Sequence, residues 1–95
     1  MDLFDLSNKV AIVTGGNGGI GLGMVQSLAN AGATIAIVGR NVDKTQAAVS
    51  EIEALGVVSQ GVITDVTDSS AVVAMVKEVV STLGGIDILV NNAGT

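Results

Sequence analysis

Cysteine, histidine, tyrosine and tryptophan are all absent from this 95-residue chain. Without cysteine there is no disulfide, no thiolate nucleophile and no thiolate-bound metal. Without histidine and tyrosine, the usual general base, the commonest metal ligand and the phenolic acid are gone as well. Proton chemistry is left to Asp, Glu, Lys and the hydroxyl residues, and no metal site is expected. Positive charge is scarce too, with four Lys and Arg against nine Asp and Glu and a net charge of −5. No basic cluster is present to meet a phosphodiester backbone, which argues against nucleic acid as a partner. No apolar run approaches the roughly 18–20 residues that span a bilayer. The amino-terminal Met1-Asp2-Leu3-Phe4-Asp5 lacks the basic region of a secretory signal. A soluble, cytoplasmic protein without a membrane partner is expected.

What the chain does have is apolar content, 48% of its residues against 14% charged, which excludes a disordered tail. Its length allows one small domain or part of a larger one. The apolar residues fall in short runs at near-regular spacing: Val10–Val13, Ile35–Val38, Val57–Ile63 and Ile86–Val90. The runs are nearly continuous and do not alternate with polar residues, as expected for parallel strands buried on both faces. Helical patterns separate them, which predicts βα alternation. The first helix is predicted from Gly19 to Ala31, with Gly32 as its left-handed terminator. Asn41 or Asp43 can cap the second helix, whose Ala48, Ile52 and Leu55 share one face, and Gly56 closes it. Thr67 or Asp68 caps the third, where Val72, Met75, Val76, Val79, Val80 and Leu83 form a broad apolar surface.

Right-handed crossovers then fix the arrangement. Strands one, two and three step outward in one direction, and the third helix returns the chain to the other side of strand one. The predicted fold is α/β: a partial, doubly wound Rossmann-type parallel sheet of order 3-2-1-4, in three layers. Ligands bind such sheets at the switch point, here the carboxyl ends of strands one and four.

Strand one ends in the densest glycine cluster of the chain, Gly15, Gly16, Gly18, Gly19, Gly21 and Gly23. A buried strand, a glycine turn and a helix start, in that order, form a phosphate-binding device. Glycine lets the backbone approach a ligand with no Cβ in the way, and the helix N-terminus offers unpaired N–H groups to an anion. The stretch reads as a cradle for the pyrophosphate of a dinucleotide. Strand four runs into Asn91-Asn92-Ala93-Gly94 at the same predicted crevice. Strand two ends in Gly39-Arg40-Asn41, without the acid that usually holds an adenosine ribose. Arg40 offers a guanidinium fork suited to a 2′-phosphate, or is simply solvated near a helix start. Asp65, before Val66, either accepts from an adenine amino group or makes an Asx turn. Asn91 either contacts the ligand or satisfies backbone groups at the strand end. Lys9, Lys44 and Lys77 read as solvated charges, and Asp87 as a turn residue before strand four.

Three motifs, TGGNGGIG at Thr14–Gly21, DV at Asp65–Val66 and NNAG at Asn91–Gly94, give the chain a resemblance to the short-chain dehydrogenase/reductase family over nearly its whole length. The resemblance implies that Gly15, Gly19 and Gly21 form the turn, while Asn17, Gly18 and Ile20 line the pyrophosphate site. It implies that Asp65 and Val66 contact adenine, that Asn92, Ala93 and Gly94 lie along the cofactor, and that Asn91 stabilises the sheet. Arg40 is similar to the basic residue that follows strand two in NADP-preferring members, which favours NADP over NAD, with Asn41 beside it. Gly18, however, sits where such members often carry a second basic residue. The family's Ser, Tyr-x-x-x-Lys and Asn follow NNAG, and a chain without tyrosine cannot hold that motif. The expectation is therefore the cofactor-binding amino-terminal half of an NAD(P)-dependent oxidoreductase, one that interconverts an alcohol and a carbonyl. Its partners would be the dinucleotide, a small alcohol or carbonyl substrate and, in the complete protein, further copies of itself. The alternative is a non-catalytic dinucleotide-binding module or sensor.

Overall fold

A computed structural model describes residues 5–15, 19–65 and 68–91. Strands and helices alternate: β1 (Val10–Thr14), α1 (Gly19–Asn30), β2 (Thr34–Gly39), α2 (Val42–Glu53), β3 (Ser59–Ile63), α3 (Ser69–Leu83) and β4 (Ile88–Asn91). The four strands form one parallel sheet in the order β3-β2-β1-β4. This is the order that right-handed crossovers require of the sequence pattern.

The central strands β1 and β2 are buried from both sides, while β3 and β4 leave Ile63 and Leu89 exposed, and alternate residues of the strands serve different layers. Ala11, Val13, Ile35 and Ile37 face α1 and α2, where they meet Val25, Ala29, Ala48, Val49 and Ile52. Val10, Ile12, Ala36, Val38 and Val62 face α3 and meet Met75 and Val79. Ile12, Ile35, Ile37 and Ile52 are fully buried, each stabilising the fold by about 1.5–3 kcal/mol relative to exposure. Two helices cover one face and a single helix covers the other.

Helix ends follow local chemistry. Asn41 caps α2, its side-chain oxygen accepting from the Lys44 N–H at 2.9 Å. Asp68 caps α3 by accepting from the N–H groups of Ser70 (2.9 Å) and Ala71 (3.3 Å). The chain leaves α1 through Gly32 and α3 through Gly84, both at positive φ.

Several boundaries differ from the sequence pattern. The ladder of β3 starts at Ser59, and Val57 packs against the core ahead of it. Leu55 lies beyond the end of α2 and is half exposed, because the chain turns at Ala54 before Leu55 can join Ala48 and Ile52. On α3 the sheet is met by Met75 and Val79, which leaves Val73, Val76 and Val80 open to solvent. β4 begins at Ile88, since Asp87 makes a different kind of contact with β1.

One contact between layers depends on a missing side chain. A Cβ on Gly61 of β3 would stand 3.0 Å from Thr45 Cγ2 and 3.1 Å from Val49 Cγ2 of α2. Thr45 is completely buried. Glycine at this position is what lets α2 settle onto the sheet.

Candidate functional site

Four strand ends build one edge of the molecule. At the end of β1, Thr14 is buried, and the Gly15 N–H donates to the Val38 carbonyl of β2 at 2.8 Å. Gly15 has φ +68° and Gly19, which opens α1, has φ +57°. An L side chain adopts such a conformation rarely, whereas glycine enters it freely. A Cβ on Gly19 would meet nothing within 4 Å. Backbone conformation, not crowding from within the chain, is what requires glycine there. Gly21 is buried in the first turn of α1, and Ile20 beside it is 74% exposed. The first turn carries no acidic residue. Its unpaired amides and the positive end of the helix dipole therefore have no carboxylate of that turn to neutralise them. Asn17 and Gly18 lie outside the described residues.

The ends of β2 and β3 make the second wall. Gly39 is buried and pairs with Ile63, and its carbonyl accepts from the Thr64 N–H at 3.0 Å. This pairing brings Arg40 and Asp65 to one cleft of about 220 Å³, which Ile63 and Thr64 also line. Arg40 is exposed. Asn41 follows it, with its side-chain oxygen committed to the α2 cap and its NH₂ group not used by that cap. The Asp65 carbonyl accepts from the Asp68 N–H at 3.1 Å, which leads the chain into α3. Val66 lies outside the described residues.

The end of β4 completes the edge. Thr14 and Asn91 are register partners in the β1–β4 ladder. The Thr14 hydroxyl donates to Asn91 Oδ1 at 3.0 Å and lies 3.4 Å from the Val90 carbonyl. Of the alternatives for Asn91, this contact favours a sheet-stabilising role. Asn92, Ala93 and Gly94 lie outside the described residues. Thr14 was visible in the glycine motif, but its partner was not, because pairing across 77 positions shows only once the strand order is known.

Chemically, this edge offers amide donors, a helix N-terminus, one guanidinium and one carboxylate. Among the described residues no group of three His, Cys, Asp or Glu side chains is placed to hold a metal ion. No helix of the described residues is long and apolar enough to cross a membrane. The arrangement suits an elongated anionic ligand laid across the carboxyl ends of the strands.

Comparison with known proteins bears directly on this arrangement. The family model described as short chain dehydrogenase matches residues 9–95. Gluconate 5-dehydrogenase of Gluconobacter oxydans (strain 621H) is 44% identical over 93 residues, which are 98% of this chain and 36% of that protein. L-sorbose reductase from Gluconobacter frateurii, solved with NADPH and L-sorbose, superposes with a TM-score of 0.93 at 45% identity. The match covers 100% of this chain and 36% of that one. An NAD⁺-bound xylitol dehydrogenase gives a TM-score of 0.92 at 38% identity, over 95% of this chain and 35% of that one. The chain thus spans about a third of the length of the relatives it matches.

Proposed function

We infer, for a chain that belongs to the short-chain dehydrogenase family, that these residues are the dinucleotide-binding part of an NAD(P)-dependent oxidoreductase. The observation that carries the reading is the sheet order β3-β2-β1-β4. It brings the glycine turn after β1 and Asn91 at the end of β4 side by side at the switch point, where α/β sheets bind ligands.

The residues fit such a cofactor. Gly15, Gly19 and Gly21, with Asn17, Gly18 and Ile20, would hold the pyrophosphate through backbone amides and the start of α1. Asp65 would accept from the adenine amino group and the Val66 N–H would serve a ring nitrogen. Arg40, with Asn41 beside it, would take the 2′-phosphate of NADP, since no acid stands there to bind a free ribose. Asn92, Ala93 and Gly94 would follow the cofactor toward its nicotinamide, which when bound supplies the hydride acceptor or donor. This chain's own part is to bind and orient. With no histidine or tyrosine in the chain, any proton it moved would pass through Asp, Glu, Lys or a hydroxyl.

Two of the bound structures among the relatives support the cofactor class, one holding NADPH and the other NAD⁺. The reaction proposed for the whole protein interconverts a small alcohol and a carbonyl compound in the cytoplasm. Mixing the whole protein with NADPH and a panel of sugar ketones, while following loss of the reduced-nicotinamide absorbance, tests it. Turnover supports the oxidoreductase. Tight cofactor binding without turnover on any carbonyl would favour the non-catalytic module instead.

A further inference from the structure

The amino end of β4 carries a contact that neither the crevice nor the core explains. Asp87 Oδ2 accepts from the Val10 N–H at 2.9 Å, while the Asp87 N–H donates to the Val10 carbonyl at 2.8 Å. In a parallel ladder the Val10 N–H would be met by a main-chain carbonyl of the neighbouring strand. Here the Asp87 carboxylate stands in for that carbonyl, so one residue holds both polar groups of Val10.

The purpose of so specific a contact lies in the apolar pattern of the strand. Ile88 and Val90 pack on the layer of α1 and α2, and Ile86, just ahead of the strand, packs on the layer of α3. A slip by one residue would turn Ile88 and Val90 to the other face, but a slip by two would replace Val90 with Ile88 and Ile88 with Ile86. That slip keeps an aliphatic residue at both positions of the α1 and α2 layer, and the packing it gives up is that of Ile86 on the α3 layer. The lead-in Gly84-Gly85 is permissive, and among the described residues β4 has only β1 beside it. Two polar contacts break the tie, Asp87 on Val10 at one end of the strand and Asn91 on Thr14 at the other.

We propose that Asp87 is a positioning residue, a register lock that sets Asn91 opposite Thr14 at the carboxyl end of the sheet. The functional half of this proposal rests on the dinucleotide reading above; the register half does not. Asp87 lies at the opposite end of β4 from the crevice and acts through the strand.

The test uses the whole protein with Asp87→Ala, Asp87→Asn and Asp87→Glu. Asn keeps an oxygen of the right reach, whereas Glu keeps the charge and moves it one methylene out. Amide exchange at Val90 and Asn91 should quicken in the Ala and Glu variants and stay slow in Asn. The NADPH dissociation constant should rise about tenfold in Ala and Glu, as for loss of the hydrogen bond from the Val10 N–H, and stay within about twofold in Asn, which keeps that bond. These constants are read at a temperature where each variant is folded, so a merely structural role would lower the melting temperature and leave them unchanged. Should Asp87→Ala fail to fold, Asp87→Glu carries the same expectation. Unchanged exchange and unchanged binding in Asp87→Glu overturn the proposal. Quickened exchange in a protein whose wild type binds no dinucleotide would uphold the register lock and refute the cofactor reading.

Discussion

The Thr14 hydroxyl donates to Asn91 Oδ1 at 3.0 Å, tying the carboxyl ends of two adjacent parallel strands that are far apart in the chain. The donor is buried and the acceptor residue is exposed, so water can replace part of what Thr14→Val removes. The expected loss is about 1 kcal/mol of stability, read as a lower urea midpoint. Thr14→Ser, which keeps the hydroxyl, should recover most of it. A valine variant as stable as wild type would show that the bond does not hold these strand ends.

Gly19 separates conformation from contact. Its φ of +57° strains any β-branched residue, although the space around its Cβ position is open. Gly19→Val should lose about 1–3 kcal/mol of stability through backbone strain and should abolish cofactor binding. Gly19→Asn, which enters the left-handed region more readily, should regain stability but not binding. Thermal melts and NADPH titrations of both variants read the two effects apart. Normal binding by a folded Gly19→Val would mean that no pyrophosphate lies against this turn.

Arg40 shares a cleft with Asp65 and has no acid in the place where a ribose-binding carboxylate usually stands. Removing a charged contact to a phosphate costs roughly 1.5–3 kcal/mol. Arg40→Ala should therefore weaken NADP binding about tenfold or more and leave NAD binding nearly unchanged. Parallel titrations with both cofactors check this. Equal losses would show that Arg40 does not read the 2′-phosphate.

Gly61 was legible only as part of an apolar run, and its role comes entirely from α2. Gly61→Ala forces Thr45 and Val49 to give way by a few tenths of an ångström or α2 to lift. Overpacking of this kind should destabilise by about 1–3 kcal/mol. Because the substitution lies on β3 away from the glycine turn, cofactor affinity of the folded protein should change little. A neutral melting temperature would mean that the layer yields more easily than its packing indicates.

The order of elements and of strands was legible in the sequence, because continuous apolar runs and glycine stops leave few arrangements once crossovers are right-handed. Helix caps were legible as pairs of candidates, and the structure chose Asn41 and Asp68. Strand starts were less so. Val57 and Ile86 are as apolar as true strand residues, and only the register of the neighbouring strand decides where the ladder begins. Asp87 read as a turn residue because its partner, Val10, lies 77 positions away. Side chains that hold strands together across such distances leave no local signature. Arg40 and Asp65 could be singled out separately, but their common cleft follows from the Gly39–Ile63 pairing.

Amide chemical shifts of the whole protein, followed as NADPH is added, test most directly that a dinucleotide lies across the carboxyl ends of this sheet. Saturable shifts are expected at Gly15, at Gly19–Gly21, at Arg40 and Asn41, and at Asp65 and Asn91. Val10, Thr34 and Ser59, at the amino ends of β1, β2 and β3, should move little. Saturating NADPH that shifts none of the first group, or that shifts the amino ends instead, would contradict it.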